Sequence, residues 1–190
     1  EKVITAVKKR FISAVVTLTL ISPRRFLVTV TGVGQGTYPT SAIMRASTIL
    51  EFIFSDSVSL MKSGTMPFER PFFSFRNIKL KRKNGENQRV DLYKYFATQD
   101  EKYNPFLREG DVITLQKYDF EGRFIGVQGA VQFPGVFEYI EGDDLETAIH
   151  LIRGVTSVAN MDSIMISRMN RGATKMENWY VNYETDKNMK

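Results

Sequence analysis

Val3, Ile4, Val7 and Phe11 recur along the start of the chain at helical spacing, and then the rhythm changes: Val16, Leu18 and Leu20 alternate with Thr17 and Thr19. The first pattern predicts a helix over residues 1–11 and the second a strand over Val16 to Leu20. Pro23 ends that strand, and another, "FLVTVT", begins at Phe26.

From Phe26 onward two segments can be laid over each other. The first runs "FLVTVTGVGQGTYP", a helix over Thr48 to Phe54, then "NIKLKRKNG". The second runs "FIGVQGAVQFPGVFEY", a helix over Asp144 to Arg153, then "SIMISRMNRG". Each helix has an entry cap in the sequence, Thr48 with Glu51 and Asp143 with Glu146, and the second presents Leu145, Ala148, Ile149 and Ile152 on one face before stopping at Gly154. Gly36 stands two residues before Tyr38 as Gly135 does before Phe137, and Arg82 stands where Arg168 stands. A period of this kind is an internal repeat.

In both copies a strand reaches a glycine, turns, and returns on an aromatic that caps the core. Pro134 presets φ in the second turn, and Gly135 is expected to supply the positive φ that closes it. In the first copy Asn84-Gly85 marks a hairpin turn, with Ile78, Leu80, Val90 and Leu92 on its buried face and Lys79, Lys81 and Lys83 on the wet one. Ser59 to Arg76 has no counterpart in the second copy and reads as an inserted loop carrying Pro67, Pro71, Phe68, Phe72, Phe73 and Phe75. A connection so rich in phenylalanine is expected to pack, on its own half or on a neighbouring subunit.

Composition narrows the function. A chain of 190 residues with 43% apolar and 25% charged residues is globular, one large domain or two of about 70–100 residues. The absence of cysteine excludes disulfides and thiolate chemistry. The most apolar window, Phe11 to Ile21, is too short for a membrane helix. A net charge of +5 suits a polyanion, but Lys79 to Arg89 reads as a solvated hairpin and no nucleic-acid motif accompanies it, so no nucleic acid is expected. The single histidine, His150, cannot build a triad or a multi-imidazole metal site, and it reads as an edge residue of its helix. Asp143 and Asp144 are explained by capping rather than as a carboxylate pair, and "GVGQG" lacks the spacing and lysine of a phosphate loop. Neither catalytic residues nor a metal or cofactor are expected.

The order strand, G-x-V-x-x-P-G-x-aromatic, capped helix, strand ending in arginine, and hairpin at Asn-Gly, followed by "RVDLYKYF" and "NPFLREGDVITL", resembles the soluble-ligand-binding β-grasp repeat of bacterial outer-membrane polysaccharide export proteins. Val16 to Gly32 is similar to the junction between that family's export domain and its first repeat. The resemblance implies an α+β fold of tandem β-grasp modules: residues 1–25 the helix and strand closing an export domain, 26–118 a first repeat with its insertion at 59–76, and 122–190 an incomplete second repeat. The second repeat should then lack a last strand unless Phe11 to Ile21 or a neighbouring chain covers its edge. It also implies a non-enzymatic transport scaffold on the periplasmic side of the outer membrane, assembled as a homo-oligomeric ring around polysaccharide and working with an inner-membrane chain-length regulator. The residues singled out for ligand or subunit contact are Tyr38, Phe68, Phe72, Phe73, Lys81, Lys83, Gln132, Pro134 and Phe137. Related β-grasp repeats occur in cobalamin-binding and respiratory proteins, so a small-molecule binding module is the second reading.

Overall fold

The computed structural model describes residues 2–19, 21–55, 73–118, 123–170 and 172–190. The architecture is mixed α+β, and helix α1 (Lys2–Arg10) precedes two halves. In the first half β1 (Arg25–Gly32), β2 (Gly36–Ser41), β3 (Ile78–Lys81), β4 (Asn87–Val90) and β5 (Val112–Leu115) form one sheet in the order β2-β1-β5-β3-β4. The last of these in sequence is thus the central one, parallel to β1 and antiparallel to β3. Alternation turns Val28, Val30, Ile78, Leu80, Ile113 and Leu115 inward, where Ala46, Ile49 and Leu50 of helix α2 (Ala46–Ile53) close the core over them. Lys79 and Lys81 face water, as their position in the pattern requires.

The second half repeats the order strand, strand, helix, strand, strand, helix with β6 (Phe124–Val127), β7 (Gly135–Glu138), α4 (Leu145–Leu151), β8 (Ile164–Met169), β9 (Met176–Val181) and α5 (Tyr183–Asp186). The pairing registers match. Val30 lies opposite Gly36 and Val28 opposite Tyr38, as Val127 lies opposite Gly135 and Ile125 opposite Phe137. Ile78 faces Val90 as Ile164 faces Val181, and the next residue in each case, Asp91 or Asn182, caps the helix that follows: α3 (Leu92–Thr98) in the first half, α5 in the second. β6-β7 and β8-β9 are separate two-stranded ribbons, and among the described residues no strand joins them as β5 joins β1 and β3.

Several sequence expectations change. The strand over Val16 to Leu20 does not form: residues 14–19 carry no regular structure, and Leu20 lies outside the described residues. Among the described residues no strand pairs with this segment to hold its alternation in a sheet. "LYKYF" falls in the helix α3 with Asp91 as its cap, which makes Leu92 the first residue of a helix instead of part of the hairpin face. Asp144, not Asp143, caps α4 by accepting from the Thr147 amide, because Asp143 is drawn into an ion pair. In the second turn the positive φ falls at Gly129 and not at Gly135, which has joined β7.

Helix α2 shows the largest change at a cap. It starts at Ala46, before Thr48, and Arg45 at its cap position makes no side-chain cap bond. Asn104 does that work from far along the chain, accepting from the Ser47 amide at 3.0 Å and donating to Ser47 Oγ at 2.8 Å, while the Pro105 carbonyl accepts from the Ala46 amide. Asn104 is wholly buried. Asn104→Ala is expected to lower stability by about 1–2 kcal/mol, the loss of a cap together with an unsatisfied buried amide, as read by urea unfolding.

Candidate functional site

Arg76 sits between the two halves, and its side chain is 1% exposed. Phe73 and Phe75, shortly before it, are buried in the first core, and tilted ring contacts at 4.5 and 4.4 Å run from Phe54 through Phe73 to Phe75. That anchoring aims Arg76 at two carboxylates from different halves. Its Nε and Nη2 donate to Asp91 Oδ2 at 3.1 Å each, and Nη1 and Nη2 donate to Asp143 Oδ2 and Oδ1 at 2.8 and 2.9 Å. Nη1 also donates to the Glu138 carbonyl, and Ser74 Oγ donates to the Glu138 carboxylate. The remaining carboxylate capacity is used locally: Asp91 Oδ1 accepts from the Lys94 amide and Asp143 Oδ2 from the Ile140 amide. An edge-to-face contact between Tyr93 and Phe137 at 5.9 Å packs beside the cluster.

Burial opposes the charge on Arg76, but Asp91 and Asp143 outweigh it and raise the guanidinium above its ordinary value. Burial pushes the Asp91 carboxyl up, against the pull of Arg76 and the Lys94 amide, so one upward shift favours the charged guanidinium and the other the neutral carboxyl. The bidentate geometry decides between them: a guanidinium donating to both carboxylates keeps the cluster ionised. Burial likewise raises the Tyr93 phenol. This arrangement fixes two units against each other; it offers no exposed acid, base or nucleophile.

A groove of about 300 Å³ opens on the second half between β6 and β8 with α4 as its floor. Ile125, Ala148, Ile149 and Ile166 line it, with Asp143 and Arg168 among its polar wall residues. Arg82 and Arg168, equated by the repeat, differ here. Arg82 is buried, pairs with Asp111 at 2.6 Å and donates to the Phe106 carbonyl; Arg168 is exposed and lies 5.8 Å from the centre of the Trp179 ring.

The residues singled out from sequence separate into three groups. Lys81, Lys83, Gln132 and Pro134 are exposed, with Gln132 tied to the Val155 carbonyl, and Tyr38 is half-buried with its hydroxyl on the Gly34 carbonyl. Phe73 and Phe137 are core residues at 2% and 3% exposure, Phe73 in the first half and Phe137 in the second, where Tyr93 packs against it. Phe68 and Phe72, with most of the inserted loop, lie outside the described residues. His150 is an exposed residue in the last turn of α4. Sequence reasoning misses the Arg76 cluster, although Asp143 and Asp144 at a helix that needs only one cap are a signal that one of them has another partner.

The chain matches no family model and no curated protein sequence.

Proposed function

We propose that the chain is the tandem β-grasp part of an outer-membrane polysaccharide export protein. In this reading it is a scaffold on the periplasmic side that forms part of a homo-oligomeric ring around the polymer and cooperates with an inner-membrane chain-length regulator. The observation that supports the reading best is the second appearance of one element order in matched pairing register, with the two copies fastened by Arg76. A rigid stack of repeated units around a shared axis is what a conduit needs, since many weak equivalent contacts hold a polymer without trapping it.

The decisive experiment is genetic. Deleting the gene that encodes the chain should abolish surface polysaccharide while polymer accumulates inside the cell, and re-expression should restore it; normal surface polymer after deletion refutes the reading. For the isolated chain, binding to an acidic polysaccharide should be weak, fall steeply between low and physiological salt, and disappear in Lys81→Glu/Lys83→Glu, because both lysines are exposed and exposed charges are screened over about 8 Å at that ionic strength. Isothermal titration with and without salt reads this. Saturable, salt-independent binding of a cobalamin would instead make the chain a small-ligand module.

A further inference from the structure

In the first half β5 is gripped from both sides. Residues Thr29 to Gly32 lie opposite Val112 to Leu115, and Lys79 to Lys81 lie opposite Thr114 to Val112. Transferring this pairing to the second half through the matched registers sets one extended segment between β6 and β8, above α4. That place is the groove. Its apolar walls show what is missing: Leu50 and Leu80 are wholly buried beneath β5, whereas their counterparts Ile149 and Ile166 are only half-buried.

The chain carries a segment of the required pattern. Val15-Val16-Thr17-Leu18 repeats Val112-Ile113-Thr114-Leu115 except that valine replaces isoleucine. Residues 14–19 have no regular structure, and Val15 and Leu18 are 95% and 56% exposed. The first half cannot use them, because β5 already fills its slot. Neither can the second half of the same chain. β1 leaves residue 25 at one end of the sheet, and Arg76 fastens the second half beyond the other end, past Asn77, whose side chain meets Gln116 just after β5. An eight-residue strand covers about 25 Å, while the link over residues 20–24 spans at most about 20 Å.

We propose that residues 14–19 of one copy insert between β6 and β8 of a second copy, parallel to β6 and antiparallel to β8, with Val16 and Leu18 turned onto α4 and Thr17 turned outward. The proposal stands on pairing geometry. Such a contact is head-to-tail, and it generates a ring if its rotation closes and a filament if it does not. Apart from side-chain fit, the backbone hydrogen bonds of an added strand supply the attraction. Ala14 stands where Asp111 stands in the first half, so the inserted segment brings no carboxylate to Arg168, and the link is weaker than the one β5 makes.

The chain has no cysteine, which makes directed cross-linking clean. Thr17 and the exposed Met165 are the counterparts of the facing pair Thr114 and Lys79. A mixture of T17C and M165C chains should give a disulfide-linked dimer on mild oxidation, in several-fold greater yield than T17C mixed with V158C, whose cysteine lies outside the groove. Leu18→Asp should remove both the cross-link and any concentration-dependent association in sedimentation equilibrium; since Leu18 belongs to no strand or helix, this variant folds as the parent does. Ala14→Asp should tighten association several-fold by giving Arg168 its carboxylate. The proposal is overturned if parent and A14D chains both stay monomeric across the concentration range, if the V158C control cross-links as well, or if a T17C/M165C double variant closes its disulfide at monomer mass.

Discussion

Arg76→Met is expected to destabilise the protein by about 3–5 kcal/mol and to split its unfolding into two transitions. Removing the guanidinium leaves two carboxylates, Asp91 and Asp143, each nearly inaccessible to water, with only the Lys94 ammonium, 4.0 Å from Asp143, as a nearby cation, and an undercompensated buried charge costs far more than an ion pair contributes. The splitting follows from position: Arg76 belongs to the first half by its neighbours Phe73 and Phe75 and to the second by its bonds to Asp143 and the Glu138 carbonyl. Differential scanning calorimetry reads both effects. Adding Asp91→Asn and Asp143→Asn to Arg76→Met should recover most of the stability, because asparagine keeps the acceptors for the Lys94 and Ile140 amides while removing the charge. A single variant that melts like the parent would falsify the assignment of the junction to this cluster.

The second large effect is expected at Gly32, where β1 ends against β5. Its φ is +83°, and a Cβ placed there would lie 2.1 Å from the Leu115 carbonyl oxygen, a backbone atom that cannot swing aside. Gly32→Ala therefore adds left-handed strain to a collision that must push the two parallel strands apart, together about 2–4 kcal/mol. Urea denaturation measures the loss. Gly129→Ala offers the contrast, since it has a positive φ but open space around its Cβ position, and it should lose only the conformational part, about 1 kcal/mol. Equal losses at the two positions would show that contact with Leu115 is not what constrains Gly32.

The repeat is legible in the sequence because its elements announce themselves locally. Alternation marks β1 and the β3-β4 hairpin, the Asn84-Gly85 turn sets the hairpin's register, and the apolar face of α4 is present as its spacing predicts. What cannot be read locally is supplied from a distance. Thr48 and Glu51 form a reasonable capping pair on paper, but a residue 57 positions away from Ser47 outcompetes them, and no window of sequence contains both partners. "DLYKYF" is rich in aromatics that favour strands, and only the capping bond from Asp91 and the packing of Leu92 make it helical. Val16 to Leu20 fails in the opposite way: the alternation is present, but a strand is defined by its neighbour, and the described chain offers none. The Arg76 cluster combines residues separated by 15 and 67 positions, so in sequence its members look like an ordinary arginine and two capping aspartates.

The order in which β5 enters its sheet bears on how the protein is made. Its central place means that β1 has no parallel partner until residues 112–115 appear, and Thr31 meets Thr114 across 83 positions. Helix α2 waits almost as long for Asn104. A nascent chain leaving the ribosome therefore holds the β5-facing edge of β1 and the start of α2 uncommitted while the residues in between are made, and contacts of such long range form slowly. Folding of the first half should begin only once Leu115 has cleared the exit tunnel, so a chaperone acting on this protein would find its substrate among the ribosome-bound intermediates that end before that residue.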